Sequence, residues 1–238
     1  MMLLQLLAVE RLKIRRKAIW PLIAAGGFGV VLLQAANYAL RYDYLMKLNA
    51  DNPWGHMLSE MHFLAVPSLI MGLAIIASMI AGVEHATNSW KQTLALPLSR
   101  LSVYAAKFVL LMGLMFAACT MLAVGTVVLG LCLSLGTDIP YTELLRVSYL
   151  PLLAALPIGA VQLWLSVSLA NQAIPLTVGV LGTVVSMFGM TLGDFVPYKW
   201  PMLDNQWNEP LIPAALGLTV GLLIYVAGSV HFVRKDVK

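Results

Sequence analysis

The sequence predicts an all-α integral membrane fold, and three observations carry that prediction. Hydrophobic residues fill 60% of the 238 positions and charged residues only 11%, against ~25% charged in an ordinary soluble domain. The apolar residues fall in six runs, each near or above the ~20 residues needed to cross a ~30 Å hydrocarbon core. The cations and anions are then sorted unequally between the segments that separate those runs. A chain of this composition cannot cover a water-facing surface. Its formal charge of +4 comes from short basic clusters beside apolar runs, which argues against nucleic acid as a partner and for a lipid bilayer.

Residues 1–17, MMLLQLLAVERLKIRRK, read as an N-terminal amphipathic interfacial helix, and 18–238 as a single six-helix transmembrane domain. Leu3, Leu6, Leu7, Leu12 and Ile14 form most of an apolar stripe. Glu10, Arg11, Lys13, Arg15, Arg16 and Lys17 supply the polar part, a pattern suited to lying in the interface plane. The alternative is a signal-peptide n-region. The next apolar run is long enough to span and no small-residue cleavage site ends it, so a retained anchor is expected.

The six expected spans are 18–40, 62–83, 101–133, 144–170, 173–192 and 211–232. The third is too long for one crossing, and its first turns, through Lys107, are expected to project into the cytoplasm. Pro151 and Pro157 predict kinks in the fourth. Only Asn171 and Gln172 separate the fourth from the fifth, which predicts a tight antiparallel hairpin. Two GxxxG patterns, Gly189 to Gly193 and Gly217 to Gly221, allow close helix approach, either within the chain or between subunits.

Placing both termini in the cytoplasm puts eleven of the fifteen cations there: Arg11, Lys13, Arg15, Arg16, Lys17, Lys91, Arg100, Lys107, Arg234, Lys235 and Lys238. Eight of the eleven acidic residues then lie outside, with Glu10, Glu84 and Asp236 inside. This is the positive-inside pattern, and it requires an even number of spans. The outer segments are aromatic: 41–60 is read as an interfacial loop, and 194–210 holds Tyr198, Trp200 and Trp207 among prolines. These rings form either an interfacial belt or a vestibule that meets an amphipathic substrate.

What the runs lack excludes other functions. No ionisable residue falls near the middle of a span, which argues against a proton or ion relay. Gln34, Asn37 and Gln162 are the notable buried amides, suited to interhelical hydrogen bonds. Cys119 and Cys132 lie in one apolar run and read as small hydrophobes. There is no G-x-x-x-x-G-K-[ST], H-E-x-x-H or G-x-S-x-G, and His56, His62, His85 and His231 are scattered. No catalytic residue, metal site or cofactor is expected on this chain.

The segment from Glu84 to Lys107 breaks the apolar texture. Ser89 followed by Gln92 fits a capping box, so a short cytoplasmic helix is expected over 89–96, between spans 2 and 3. Trp90 and Leu94 share one face of it, Lys91 lies between them, and Pro97 favours a stop. Ser99 is placed to cap the next helix, which carries Arg100, Tyr104 and Lys107 on one side.

The run Glu84…Asn88-Ser89-x-Lys91-Gln92-x-Leu94-x-Leu96-Pro97-Leu98-Ser99-Arg100…Tyr104…Lys107 resembles the first cytoplasmic loop of ABC-2 type transporter permeases. Chain size and the Trp- and Pro-rich last outer loop resemble the permeases of lantibiotic-immunity and bacitracin-resistance exporters. The resemblance implies a bacterial-type plasma-membrane permease subunit, paired with a second permease, identical or homologous, and with a cytoplasmic ABC ATPase dimer that binds the ATP. It implies that 89–96 is a coupling helix docked on that ATPase, with Glu84, Ser89, Trp90, Lys91, Leu94, Pro97, Arg100 and Lys107 as its contact and anchor residues. An amphipathic peptide or lipid-like molecule would be the substrate. A membrane receptor or assembly subunit that binds a peptide without moving it is the alternative.

Overall fold

The computed structural model describes residues 2–15, 17–48, 50–87 and 99–234. Among them the ordered elements are all helical: α1 (Met2–Ile14), α2 (Ile19–Leu48), α3 (Pro53–Thr87), α4 (Arg100–Cys132), α5 (Tyr141–Ala154), α6 (Leu156–Ser168), α7 (Ala173–Met187) and α8 (Leu211–Arg234). Two 3-10 turns, Gly189–Thr191 and Trp200–Met202, lie between α7 and α8. By length and apolarity α2, α3, α4 and α8 can each cross a membrane, and α5 with α6 makes a fifth candidate bent by 43°. At 1.5 Å per residue α7 is ~22 Å long, shorter than a hydrocarbon core.

Cross-helix hydrogen bonds sort the connections onto two ends. At one end Arg100 Nη1 donates to Val233 O at 3.0 Å, His85 Nε2 lies 3.1 Å from Ser166 O, and Ser78 Oγ donates to Gln172 Oε1 at 3.0 Å. This is the terminal end, where α1, the start of α4, the α6–α7 connection and the end of α8 gather. At the distal end Tyr42 donates to Leu133 O at 3.2 Å, Trp54 Nε1 to Gly136 O at 3.3 Å, and His62 Nε2 sits 2.9 Å from Met202 O. One buried apolar cluster, with Ile70, Leu73 and Leu111, fills the bundle toward the terminal end; a second, around Tyr38, Trp54 and Met57, fills the distal end.

Two expectations change. The segment 41–60 is mostly helix: α2 continues to Leu48 across a kink at Arg41 (φ −133°), and α3 begins at Pro53. The Asn52–Pro53 pair explains it. Asn52 Oδ1 accepts from Gly55 N at 2.9 Å as an N-cap, and proline is pre-set for a first helical position. Glu60 is therefore a helix residue and not a loop residue. The fifth run ends at Met187, because the chain tightens into the 3-10 turn at Gly189.

Other expectations are met. The chain breaks at Ala155, between Pro151 and Pro157, since a proline removes a backbone donor and its ring crowds the preceding turn. Gly217 and Gly221 seat α8 against that break: a Cβ on Gly221 would come within 2.5 Å of Leu156 Cβ and 3.0 Å of Pro157 N. This GxxxG pattern is used inside the chain, whereas Gly189 and Gly193 lie beyond the end of α7. The amides bridge helices as expected. Gln34 and Asn37 donate to Glu60, and Gln162, in the orientation that satisfies both its atoms, donates to Pro175 O and accepts from Gly179 N, each at 3.1 Å.

Because α8 meets backbone at Gly221, Gly221→Val should cost about 1–3 kcal/mol of stability through overpacking. Thermal unfolding of the purified protein should show a lowered midpoint; an unchanged midpoint would mean that α8 is not seated on the α5–α6 break.

Candidate functional site

Three helices bring charge to one buried point at the terminal end. On α3 the buried stripe Ala77, Ile80, Ala81 continues at i+7 onto Glu84. On α4 the stripe Val103, Tyr104, Leu111 includes Lys107. On α1 the inward positions are Leu6, Glu10 and Ile14, with Lys13 one turn from Glu10 on the same side. A helix that sets its apolar stripe against a core carries any charge on that stripe inward as well.

Lys107 Nζ donates to Glu10 Oε2 and to Glu84 Oε1, both at 2.7 Å. Lys13 Nζ donates to Glu10 Oε1 at 2.6 Å and to Glu84 Oε1 at 2.8 Å. Lys107 and Glu84 are each 0% exposed and Glu10 2%. Two ammonium groups thus meet two carboxylates, and the net charge is zero. Burying each ion costs several kcal/mol, offset only while every partner is in place. Burial pulls the Lys13 ammonium down, but hydrogen bonds to Glu10 and Glu84 and their charges hold it above the ordinary lysine value. It stays protonated at neutral pH. The cluster holds no nucleophile, and both ammoniums are engaged with carboxylates. Such an arrangement latches α1 to α3 and α4.

The segment 88–98 runs between α3 and α4, and Ser89, Trp90, Lys91, Leu94 and Pro97, with the helix expected over 89–96, lie outside the described residues. Its flanks are described. Ser99 caps α4 as expected, accepting from Ser102 N at 3.1 Å. Arg100 places its guanidinium on Val233 O, where a cation satisfies an end carbonyl of α8. Tyr104 is buried against Tyr225 and Phe232, at ring-centroid separations of 5.5 and 5.7 Å. Of the expected anchors, Glu84 and Lys107 come together, and Arg100 points instead to the end of α8. In the sequence Glu10 and Lys13 stand out only as part of a polar face. Their position in step with Leu6 and Ile14 is the signal that marks them. Leu4 and Leu12 of the same helix are exposed.

At the distal end Tyr198, Trp200 and Trp207 separate. Trp200 is buried and its Nε1 donates to Asp194 O at 2.7 Å; Tyr198 is half-buried against Gly182; Trp207 is exposed. Phe195, 90% exposed, is the most open ring of this loop. Lys199 Nζ binds Asp194 Oδ1 at 2.7 Å and reaches Asp204 Oδ2 at 3.5 Å. The Lys199 hydrogen bond, then the Gln206 N–H, holds the Asp194 carboxyl below the usual carboxylate range. The Asp194 hydrogen bond holds Lys199 above the ordinary lysine value.

A family model described as ABC-2 family transporter protein matches residues 6–186, from Leu6 in α1 to Ser186 in α7. Neither a curated protein nor a solved structure matches the chain.

Lys107→Met would leave two buried carboxylates sharing the single ammonium of Lys13 and should cost about 3–5 kcal/mol. Adding Glu84→Gln should return part of that loss, measured as a coupling free energy in a double-mutant cycle; strictly additive losses would show that the two residues do not interact. The distal loop has its own pH signature. A depressed carboxylate stabilises above its unfolded pKa of about 4, and that contribution disappears as pH falls through the lower folded value. A raised lysine stabilises below about 10.4 and loses its contribution as pH rises through the higher folded value. Amide exchange at Met202 and Leu203, whose N–H groups donate to Lys199 O and Trp200 O, corrected for intrinsic rates, should be slow between these limits and faster outside them. Asp194→Asn should remove the acid limb.

Proposed function

The chain belongs to the ABC-2 family of transporter proteins, and from that membership we propose that it is the permease subunit of an exporter driven by a separate cytoplasmic ATPase. The terminal end faces the cytoplasm, as the eleven-to-four division of cations favours. In this reading α7, extended by the turn at Gly189–Thr191, completes a sixth crossing. Two permease subunits, identical or homologous, pair with an ATPase dimer, and the helix over 89–96 rests in a groove of the ATPase, with Trp90 and Leu94 toward it. The membrane is a bacterial-type plasma membrane.

The observation that carries the proposal is the pairing of Glu84 with Lys107 at 2.7 Å. These residues flank the proposed coupling segment on its two sides, and Glu10 joins α1 to the same point. A push delivered between them therefore reaches α1, α3 and α4 together. ATP-driven closure of the ATPase dimer tilts these helices as one body, and the distal end responds. The substrate is an amphipathic peptide of the lantibiotic or bacitracin kind, or a lipid-like molecule, expelled from the outer leaflet. Trp207 and Tyr198 meet it at headgroup level, and Trp200 holds the loop that presents them.

Co-expression with candidate ATPases tests the proposal. The wild-type chain should co-purify with one of them, and Trp90→Asp with Leu94→Asp should abolish both co-purification and transport while membrane insertion is retained. Unchanged association would remove the coupling role from 89–96.

A further inference from the structure

The seam between α2 and α3 holds a furrow that changes character along its length. At the distal end a hollow of about 560 Å³ is floored by Gln34, Asn37 and Glu60 and walled by Phe63, Met190 and Met202. It shares Leu33 and Leu64 with a second hollow of about 500 Å³. That one shares Val30 and Ser68 with an apolar pocket of about 290 Å³ reaching Met115 and Pro151. From Asn37 back to Leu22 the furrow follows α2 for ~22 Å, more than the ~15 Å depth of one leaflet's hydrocarbon. Between its ends the walls are apolar, and Ser68 spends its hydroxyl on Gly26 O at 3.4 Å.

The polar end has one dominant charge. Glu60 accepts from the Gln34 amide and, at 3.5 Å, from Asn37. Neutral amides orient a carboxylate without cancelling its charge. His56 Nε2 stands 3.3 Å from the other oxygen. The net charge of the distal segments has the same sign: they carry eight acidic residues, Asp43, Asp51, Glu60, Asp138, Glu143, Asp194, Asp204 and Glu209, against four cations, Arg41, Lys47, Arg146 and Lys199. An anionic recess at the mouth of a long apolar furrow is complementary to a cation carried on a hydrocarbon chain.

We propose that the α2–α3 furrow binds a long-chain amphiphile with a cationic amine head, the head on Glu60 and the chain along Leu33, Leu64 and Val30. This gives the exporter described above a substrate class. It rests on that reading for transport, but binding to the purified chain stands or falls without any ATPase.

The test uses the full chain in phosphatidylcholine nanodiscs, with displacement of a fluorescent long-chain amine by hexadecylamine, hexadecanol, hexadecanoic acid and butylamine. Hexadecylamine should compete best, hexadecanol more weakly, and the acid and butylamine least. Glu60→Gln should weaken hexadecylamine about tenfold or more, the size of a lost charged hydrogen bond, and leave hexadecanol unchanged. Leu33→Lys, on an exposed wall position, should repeat that loss without touching the Gln34–Glu60 bond. Ser68→Phe should weaken amine and alcohol alike. Equal affinity for amine and alcohol, or indifference to both Glu60→Gln and Leu33→Lys, would overturn the proposal. So would absence of amine binding together with disulfide cross-linking of two copies through Leu33→Cys, which would make the furrow a subunit interface. Amine binding by a chain that recruits no ATPase would leave the furrow in place and remove the exporter reading alone.

Discussion

The structure depends on a neutral four-charge cluster buried where three helices meet. Lys107 has no route to water, and its two carboxylate partners come from α1 and α3. Each ion is tolerable only because the others are present. That mutual dependence fixes the position of α1, a helix whose outward leucines would otherwise let it lie anywhere on an apolar surface. It also fixes the spacing between the end of α3 and the start of α4. Lipid tails are as apolar as the side chains around the cluster, so burial itself does not drive helices together in a membrane, and a polar point contact of this kind adds to close packing in setting register.

Glu84 and Glu60 stand on the same helix, 24 positions apart, or ~36 Å. No Asp, Glu, Lys or Arg lies between them. Each carboxylate draws a neighbouring helix onto α3: Glu84 through lysines and Glu60 through the amides of α2. The difference in partner chemistry separates their roles. The lysines neutralise Glu84 and make a latch. The amides leave Glu60 charged at the mouth of an apolar furrow. One helix thereby joins the end proposed to receive mechanical input with the end proposed to hold substrate.

Much of this was legible in the residues. Composition alone placed the chain in a membrane, Pro151 and Pro157 located the break in the bent span, and Ser99 marked the start of α4. The segment 41–60 reads as an interfacial loop because of its aromatic and charged residues, although Asn52–Pro53 carries a helix-start signal. The cluster was half visible. Glu84 and Lys107 stood out as charges in an apolar context, but Glu10 and Lys13 were hidden in a helix rich in other charges. Only their phase relative to Leu6 and Ile14 distinguishes them, and that phase gains meaning once the inward face of α1 is known. The pairing of α2 with α3 at Gln34 and Glu60 was not readable, because it depends on how far α3 extends beyond the apolar run.

The proposed role of the Glu10–Lys13–Glu84–Lys107 cluster is to transmit force from an ATPase to the helices. The most direct test is ATP hydrolysis and substrate efflux measured together in proteoliposomes containing the assembled transporter, with Glu84→Gln and Lys107→Met combined so that no charge is left stranded between them. The account predicts that this complex assembles and hydrolyses ATP while efflux per ATP collapses. Efflux per ATP equal to that of the wild type would contradict it.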